Sequence, residues 1–332
     1  MFKRIGLLTS GGDSPGMNPA IRSITRTGLN LGNEVIGIQN GYQGIFDREF
    51  LPLGHLEVSG RIRDGGTMLA TSRCLRMLDP DGPQSAIAIL REHQIEALIV
   101  IGGDGSLNGA NKLHQLGYPV IGLPGTIDND LYGTDMGIGV DTALNTIIHL
   151  VDMIKATAAS HRRCFVIEVM GRGSGYLALM STISTGSQVA VIPEYRYNID
   201  AILNALTRRI ERKHNNSTVI VAEGVCSGQN FMEHLQTAGR GRFNQEVRLT
   251  VLGHVQRGGA PTHFDRLLAS RMGEFAVLAL NHRDTGCMVA LVDGKIQLRD
   301  FDTILGKKKN LPADAIRLAR NLDIEFGEPV EV

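Results

Sequence analysis

Short apolar runs recur along the chain, each bounded by glycine, proline or charge: RIGLLT (4–9), EVIGI (34–38), ALIVIG (97–102), PVIGL (119–123), CFVIEV (164–169), VAVI (189–192), TVIVAE (218–223) and MVALV (288–292). Between most of them, apolar positions repeat with helical spacing, over 17–31, 84–94, 106–117, 140–159, 174–185, 199–213 and 265–281. Uninterrupted apolar strands alternating with amphipathic helices predict an α/β protein with mostly parallel, doubly wound sheet covered by helices on both faces. Residues 39–73, with NGYQGIFD and RIRDGGTMLATSR, break the rhythm and are expected to form an excursion that lines a site. No internal repeat, low-complexity tract or Pro-rich linker interrupts the pattern. GKKKN at 306–310 reads as a solvated loop, and RRIERKH at 208–214 as a helix end whose charges suit the helix dipole.

Length and composition narrow the classes. The chain has 332 residues, 42% of them hydrophobic, enough for a well-buried core and for two domains. Its 34 basic and 34 acidic residues balance, which gives no global pull toward nucleic acid or membrane. Cys74, Cys164, Cys226 and Cys287 are widely spaced without a CxxC pair, which argues against a zinc site or disulfide framework and suits a reducing cytosol. The N-terminal apolar run before Gly11-Gly12-Asp13 is too short for a signal peptide or membrane span, so a cytoplasmic protein is expected.

Candidate chemistry gathers where strands end. LLTSGGDSPGMN, IVIGGDGSLNG and GLPGTIDND each place glycines and at least one aspartate after an apolar strand. In doubly wound sheets ligands collect beyond the carboxyl ends of strands. Glycines let the backbone approach a phosphate, and the following helix offers N–H donors. One such turn is explained equally by a tight strand-to-helix connection; three together indicate phosphate with a metal, for which Asp104 in GGDGS is the candidate ligand. Neither a Walker P-loop nor GxGxxG is matched. The crowding of Asp128, Asp130 and Asp135 within GLPGTIDNDLYGTD implies either water or a cation with a reacting hydroxyl among them.

Further along, EVMGRGSG carries Arg172, VAEGV carries Glu223, and VRLTVLGHVQRGG supplies Arg248, His254 and Arg257. Singly, each arginine reads as a surface ion pair and His254 as a hydrogen-bonded structural histidine. Together, near strand ends, they suit a phosphorylated polar acceptor, because guanidinium holds phosphate with a planar fork and keeps its charge.

These motifs, in this order and over nearly the whole chain to DRLLASRMG, resemble the ATP-dependent 6-phosphofructokinases of bacterial type. The resemblance implies two doubly wound domains: 1–139 plus 252–302 as the larger ATP-binding domain, and 140–251 plus 303–332 as the smaller fructose 6-phosphate-binding domain. It implies transfer of a phosphoryl group from MgATP to the 1-hydroxyl of fructose 6-phosphate by a homotetramer with active sites shared between subunits. Asp128 would be the general base, Asp130 would support the charge balance, Asp104 would serve Mg²⁺, and Thr126 and Arg172 would stabilise the transferring group. Asp135 receives no role beyond capping a loop. Contacts to the sugar phosphate carry over onto Thr126, Ile127, Asp128, Met170, Gly171, Arg172, Glu223, His254 and Arg257, with Arg163 and Arg248 reaching the 6-phosphate from a neighbouring subunit. Nucleotide contacts carry over onto Gly12, Tyr42, Arg73, Cys74, Gly103, Asp104, Gly105 and Ser106. CLRML after Arg73 departs from the aromatic-containing run usual in the family.

Pyrophosphate-dependent relatives place an aspartate at the position of Gly105 and a lysine at that of Gly125, so the two glycines favour ATP. Two other readings stand beside this one: NAD or lipid kinases with a similar GGDG turn, and a sugar-phosphate or nucleotide sensor without activity. Effector contacts carry over onto Arg22, Arg26, Lys155 and Arg212. His55 and Lys155 stand where regulated enzymes carry arginine, Gln188 replaces a glutamate that holds the effector's Mg²⁺, and RKHNN at 212–216 is less basic than usual. Weak response to ADP and phosphoenolpyruvate is therefore expected.

Overall fold

A computed structural model describes residues 1–212 and 216–330. In chain order the strands are β1 (Arg4–Ser10), β2 (Glu34–Ile38), β3 (Phe50–Leu53), β4 (Ala97–Gly102), β5 (Val120–Pro124), β6 (Cys164–Val169), β7 (Val189–Val191), β8 (Tyr195–Arg196), β9 (Ser217–Ala222), β10 (Val247–Val251), β11 (Cys287–Val292), β12 (Lys295–Asp300) and β13 (Glu328–Pro329). The helices are α1 (Met17–Asn30), α2 (Gly41–Asp47), α3 (Gly82–Glu92), α4 (Asp104–Gln115), α5 (Val140–His161), α6 (Tyr176–Thr185), α7 (Ile199–Glu211), α8 (Gly228–Ala238), α9 (His263–Asn281), α10 (Phe301–Ile304) and α11 (Ala313–Asn321). Every expected strand and helix is present, shifted by a few residues at most; position 213, the expected end of α7, lies outside the described residues.

Contacts divide the chain into two compact units. The first comprises Met1–Ile127, Leu131–Thr142 and Arg257–Lys309; the second comprises Asp128–Asp130, Ala143–Gln256 and the chain from Asn310 onward. The sequence reading sets its boundaries at 139/140, 251/252 and 302/303.

The first unit is built on a seven-stranded sheet of order β12-β11-β5-β4-β1-β2-β3. The five inner strands run parallel, and β3 and β12 pair antiparallel at the two edges. Alternate residues of β4 enter different cores: Ile99 and Ile101 join Leu7, Ile21 and Met272 on one face, while Leu98 and Val100 join Leu8, Leu107 and Leu113 on the other. A strand covered on both faces must be apolar at every position, which is why ALIVIG reads as a continuous run. On the first face α1 and α9 approach closely at Gly273, where an added Cβ would lie 3.0 Å from the Ala20 carbonyl and 3.0 Å from the Ser23 Cβ. The chain leaves β1 toward β2 and β3, then returns to β4 on the other side, so the sheet's direction of winding reverses between β1 and β4. That is the crevice where doubly wound sheets hold ligands.

The second unit carries a four-stranded, all-parallel sheet of order β10-β6-β9-β7. Its described core includes Val166, Val191, Val219, Val221, Leu206 and Phe231. A two-stranded antiparallel ladder, β8 with β13, completes it.

Candidate active site

In the first unit, parallel pairing aligns the three glycine-rich turns. Ser10 pairs with Gly102, and Gly102 with Pro124, so the turns after β1, β4 and β5 emerge side by side. Glycine at 102 and 125 is required by this closeness. A Cβ at Gly102 would meet both the Ser10 carbonyl and the Ser106 Oγ at 2.5 Å, and the Gly125 N–H donates to the Gly102 carbonyl at 3.0 Å. The Gly103 position lies 3.7 Å from the Thr126 Cβ, which brings GGDGS and PGTIDND together. Asp104 opens α4, where a carboxylate is favoured by the helix dipole. It is exposed, and its Oδ2 accepts from the Asn108 Nδ2 at 3.1 Å.

Gly105 differs from its neighbours. A Cβ there would meet nothing within 4 Å, and its φ is not in the left-handed region. Neither packing nor backbone conformation demands glycine at 105, which is exposed in the first turn of α4.

The excursion over 39–73 folds back on these turns and contains elements the pattern hides: α2, the edge strand β3 and a 3₁₀ turn at Arg61–Arg63. From α2, the buried Tyr42 hydroxyl donates to the Ser106 carbonyl at 2.7 Å, and burial pushes its pKa upward. The Thr71 hydroxyl donates to the Gly11 carbonyl at 2.8 Å. Cys74 sits against the same core as Tyr42, its thiol pKa raised by desolvation. Arg73 is exposed. CLRML forms a 3₁₀ turn, Leu75–Leu78, that buries Met77 and leaves Leu75 and Leu78 64% and 70% exposed.

Arg257 also belongs to this unit. It fits only because residue 12 is glycine, since a Cβ there would lie 1.9 Å from the Arg257 Nη1. The guanidinium is mostly buried and lies 3.8 Å from the Asp13 Oδ1. Asp13 received no role from the sequence, although GGD places it beside Gly12. Asp135 caps a loop as expected, its Oδ2 accepting from the Asp293 N–H at 2.8 Å.

Asp265, quoted in DRLLASRMG without a role, is wholly buried and anchors the start of α5. Its carboxylate accepts from the Gly139 N–H at 2.9 Å, the Thr142 N–H at 2.8 Å and the Thr142 hydroxyl at 2.5 Å. Desolvation pushes its pKa up to about 6 against those three bonds.

Between Ile127 and Asp128 the chain passes from the first unit to the second, so TIDND spans both. Ile127 and Asp128 are buried, at 2% and 5% exposure, and Asn129 between the aspartates takes a left-handed φ of 49° that asparagine tolerates.

In the second unit, strand pairing sets Val169 against Ala222 and Glu168 against Val251, which brings the carboxyl ends of β6, β9 and β10 together. Met170, Gly171 and Arg172 follow β6, Glu223 follows β9, and His254 follows β10. Gly171 and Arg172 both have positive φ, 141° and 51°. For arginine that conformation is strained, and such strain persists only where the surroundings over-determine it. Here the Arg172 N–H donates to the Glu223 Oε1 at 3.0 Å, and Gly224 presses on the Arg172 carbonyl so closely that a Cβ at 224 would lie 1.8 Å from it. Gln256, fully buried, staples the second support: its Oε1 accepts from the Met170 N–H at 3.1 Å and its Nε2 donates to the Gly253 carbonyl at 2.9 Å. Gln256 was legible only as a member of HVQRGG.

Arg163 and Arg248 lie at the opposite end of that sheet. Arg163 precedes β6, and Arg248 pairs with Phe165 near the β6 amino end. The six residues of β6 separate them from Met170, about 20 Å at the usual rise per residue. Both arginines are bound to Glu246, with the Arg163 Nε 2.6 Å from its Oε2 and the Arg248 Nη2 on its Oε1.

Of the residues expected to contact an effector, Arg22 and Arg26 stand i,i+4 on α1 in the first unit. In the second, Gly186, Gln188, Arg208, Arg209, Arg212 and Asp323 line a cavity of about 330 Å³. Lys155 donates to the Thr185 carbonyl beside it, its pKa lowered by desolvation and by Arg209. The Gln188 amide is tied at both ends: Nε2 donates to the Gly186 carbonyl and Oε1 accepts from the Thr218 N–H, each at 2.8 Å. Arg212 lies 3.8 Å from Asp323. Lys213, His214 and Asn215 of RKHNN fall outside the described residues.

Residues 4–280 match the Phosphofructokinase family. An ATP-dependent 6-phosphofructokinase of Halalkalibacterium halodurans is 47% identical over 323 residues, covering 97% of this chain and all of the relative. The phosphofructokinase structure from Saccharomyces cerevisiae aligns over 97% of this chain with a TM-score of 0.84 and 33% identity, and this chain spans 47% of that longer one. A pyrophosphate-dependent phosphofructokinase from Marinobacter aquaeolei shares the fold, with a TM-score of 0.84 at 20% identity over 99% of this chain and 94% of its own. The chain belongs to the phosphofructokinase family.

Proposed function

We propose that this protein transfers the γ-phosphoryl group of MgATP to the 1-hydroxyl of D-fructose 6-phosphate, giving fructose 1,6-bisphosphate and ADP, the committed step of glycolysis. The observation that carries the choice of donor is Gly105: a glycine that no packing or torsion requires, facing open space at the turn where a nucleotide's α-phosphate would run. Gly125 supports the same choice. A Cβ there would lie 2.8 Å from the Ile101 Cγ2 and 3.1 Å from the Met17 Cε, so the lysine of pyrophosphate-dependent relatives has no room.

In this reading the turns after β1 and β4 hold the phosphates through backbone N–H groups, with Gly12, Tyr42, Arg73, Cys74 and Gly103–Ser106 around the nucleotide. Leu75 and Leu78 offer an apolar platform where relatives carry an aromatic ring. Asp104 suits Mg²⁺, being an exposed hard oxygen ligand beside an open cradle. Among the described residues no group of three or more His, Cys, Asp or Glu is placed to hold a metal, which fits an ion that takes few protein ligands and draws the rest from phosphate and water. Held by Asp104, Mg²⁺ would supply positive charge to offset the charge of the phosphates. Asp128 accepts the 1-hydroxyl proton as the oxygen attacks phosphorus, and Asp130 balances charge nearby. Thr126 and Arg172 donate to the transferring group, and the over-determined backbone of Arg172 keeps its guanidinium pre-positioned. Ile127, Met170, Gly171, Glu223, His254 and Arg257 shape the sugar-phosphate site. A coupled assay with ATP and with pyrophosphate as donors to fructose 6-phosphate tests the proposal: turnover with ATP alone is expected, while turnover with pyrophosphate alone, or with neither, overturns it.

The working form is proposed as a cytoplasmic homotetramer with shared active sites. Among the described residues no helix is long and apolar enough to cross a membrane. Arg163 and Arg248 lie too far from Arg172 and Glu223 along one sheet for a single hexose phosphate to touch both sets, so the 6-phosphate is gripped by a neighbouring subunit. Arg163→Ala should raise the fructose 6-phosphate half-saturation roughly 10- to 150-fold, the value of a lost charge-assisted contact. Mixed tetramers of Arg163→Ala and Asp128→Asn subunits should regain activity, because some interfaces then pair two intact halves; verified mixed tetramers that stay inactive would exclude sharing.

Effector control is proposed to be weak. A Gln188 amide engaged at both ends is a poor Mg²⁺ ligand. Fructose 6-phosphate saturation curves should shift less than tenfold at about 0.1 mM ADP or phosphoenolpyruvate, the loss of a coupling typically worth ~1–3 kcal/mol.

A further inference from the structure

We propose that Glu246 is a positioning residue for phosphate capture: one carboxylate bridges Arg163 and Arg248 and holds both guanidinium groups in a fixed pair for the sugar 6-phosphate. The inference rests on the reading that these two arginines grip that phosphate.

Each oxygen of Glu246 serves one arginine, Oε2 accepting from the Arg163 Nε and Oε1 from the Arg248 Nη2. The bridge thereby uses one donor of each guanidinium. Arginine carries five N–H donors in a rigid fork, so both Nη groups of Arg163, and the Nε and Nη1 of Arg248, remain for an anion. The cluster of two cations and one anion keeps a net positive charge.

The location explains why such a bridge is useful. Arg163 ends the connection from α5 to β6, and Arg248 is on β10, an edge strand of its sheet. Their side chains are 29% and 54% exposed. Two long, half-exposed cations repel each other and sample many rotamers, and a ligand that binds both must order both. Glu246 is set by the strand ladder: its carbonyl accepts from the Cys164 N–H at 3.0 Å, which fixes it between the two arginines in register. The arginines in turn stabilise its charged form, holding its pKa below the usual carboxylate range, chiefly through the Arg163 hydrogen bond. The carboxylate thus persists across the neutral range in which a phosphate dianion would arrive. A bystander ion pair on an exposed surface would be worth little to anything; a bridge that pre-orders two ligand-binding cations lowers the ordering cost of the ligand itself.

The test is steady-state kinetics on the intact enzyme with Glu246→Ala and Glu246→Gln, each also combined with Arg163→Ala, alongside Arg163→Ala alone and thermal melting of every variant. Glu246→Ala should raise the fructose 6-phosphate half-saturation roughly tenfold, the effect of releasing two ordered side chains. The loss should be concentrated there, with little change in kcat or in the ATP KM. Glu246→Gln, which keeps one acceptor, should fall between. In the Arg163→Ala background the Glu246 substitutions should add little, because the bridge has already lost an end. An unchanged or lowered half-saturation for Glu246→Ala, while Arg163→Ala raises it, overturns the inference and makes Glu246 a spectator or a competitor of the phosphate. If Arg163→Ala itself leaves half-saturation unchanged, the 6-phosphate reading of the arginines fails and the inference falls with it. An effect of Glu246→Ala equal in size in both backgrounds, or one that tracks a lowered Tm, is a structural effect and overturns it too.

Discussion

Asp128→Asn should fold, bind both substrates and turn over roughly 10²- to 10⁴-fold more slowly, the usual worth of a positioned general base. The substitution preserves volume at a position that is 5% exposed, so no cavity forms and no packing is strained. It removes one property, the ability to take a proton at the attacking hydroxyl. The amide also introduces a donor where an acceptor stood, which opposes approach of the sugar hydroxyl in a productive orientation. The comparison that separates chemistry from folding is kcat against Tm and against the half-saturation of each substrate. A variant with kcat reduced by less than twofold would remove Asp128 from the base role. One with an unfolded circular-dichroism spectrum would instead make the residue structural.

The elements most legible in the sequence were those buried on both faces. ALIVIG and TVIVAE could be nothing but inner strands, because any polar side chain there would face a core. The edge strands β3 and β12 escaped for the converse reason, whereas VAVI in β7, at an edge of the second sheet, is buried throughout and stands out as an apolar run. KIQLRD in β12 alternates and is half solvated, and FLPL in β3 contains a proline that only an edge tolerates. VRLTV in β10 carries Arg248, and that same arginine masks its strand character. Helix α8 has its apolar residues spread among Gln, Asn, Glu and His, too sparse a stripe to stand out. In the site, turns with several chemistry-bearing residues in a row were legible, since glycines and aspartates after strands have few other uses. The supports were not. Gln256, Asp265 and Glu246 act through side-chain bonds to residues distant in sequence, and a single amide or carboxylate among many carries no local signature. Gly105 and Gly125 mark the boundary between the two kinds of knowledge. The sequence showed that both are glycine; only the packing shows that one is glycine by necessity and the other is not.

That difference gives the second large effect. Gly105→Asp should leave the fold intact and abolish useful turnover with ATP, whereas adding Gly125→Lys should destabilise the protein without creating pyrophosphate activity. At 105 an added Cβ meets nothing within 4 Å and the backbone is in an ordinary region, so the variant should melt within a few degrees of the parent. The carboxylate would stand in the space proposed for the α-phosphate and beside Asp104. Two like charges about 5 Å apart at an effective dielectric near 20 repel by ~3 kcal/mol, which alone lowers nucleotide affinity roughly 100-fold, before steric exclusion adds to it. At 125 the side chain has no such space. Its Cβ would press on the Ile101 Cγ2 at 2.8 Å and on the Met17 Cε at 3.1 Å, and both residues are fully buried between the sheet and α1. Forcing them aside costs ~1–3 kcal/mol, typical of overpacking, so Tm should fall in any variant that carries the lysine. Even a folded double variant would have to move that lysine out through a repacked core before it could meet a pyrophosphate. Tm, ATP kinetics and pyrophosphate kinetics on Gly105→Asp, Gly125→Lys and the pair decide it. Normal ATP turnover by Gly105→Asp would show that the open space at 105 is not where the nucleotide lies, and the donor assignment would then have to rest on the family resemblance alone.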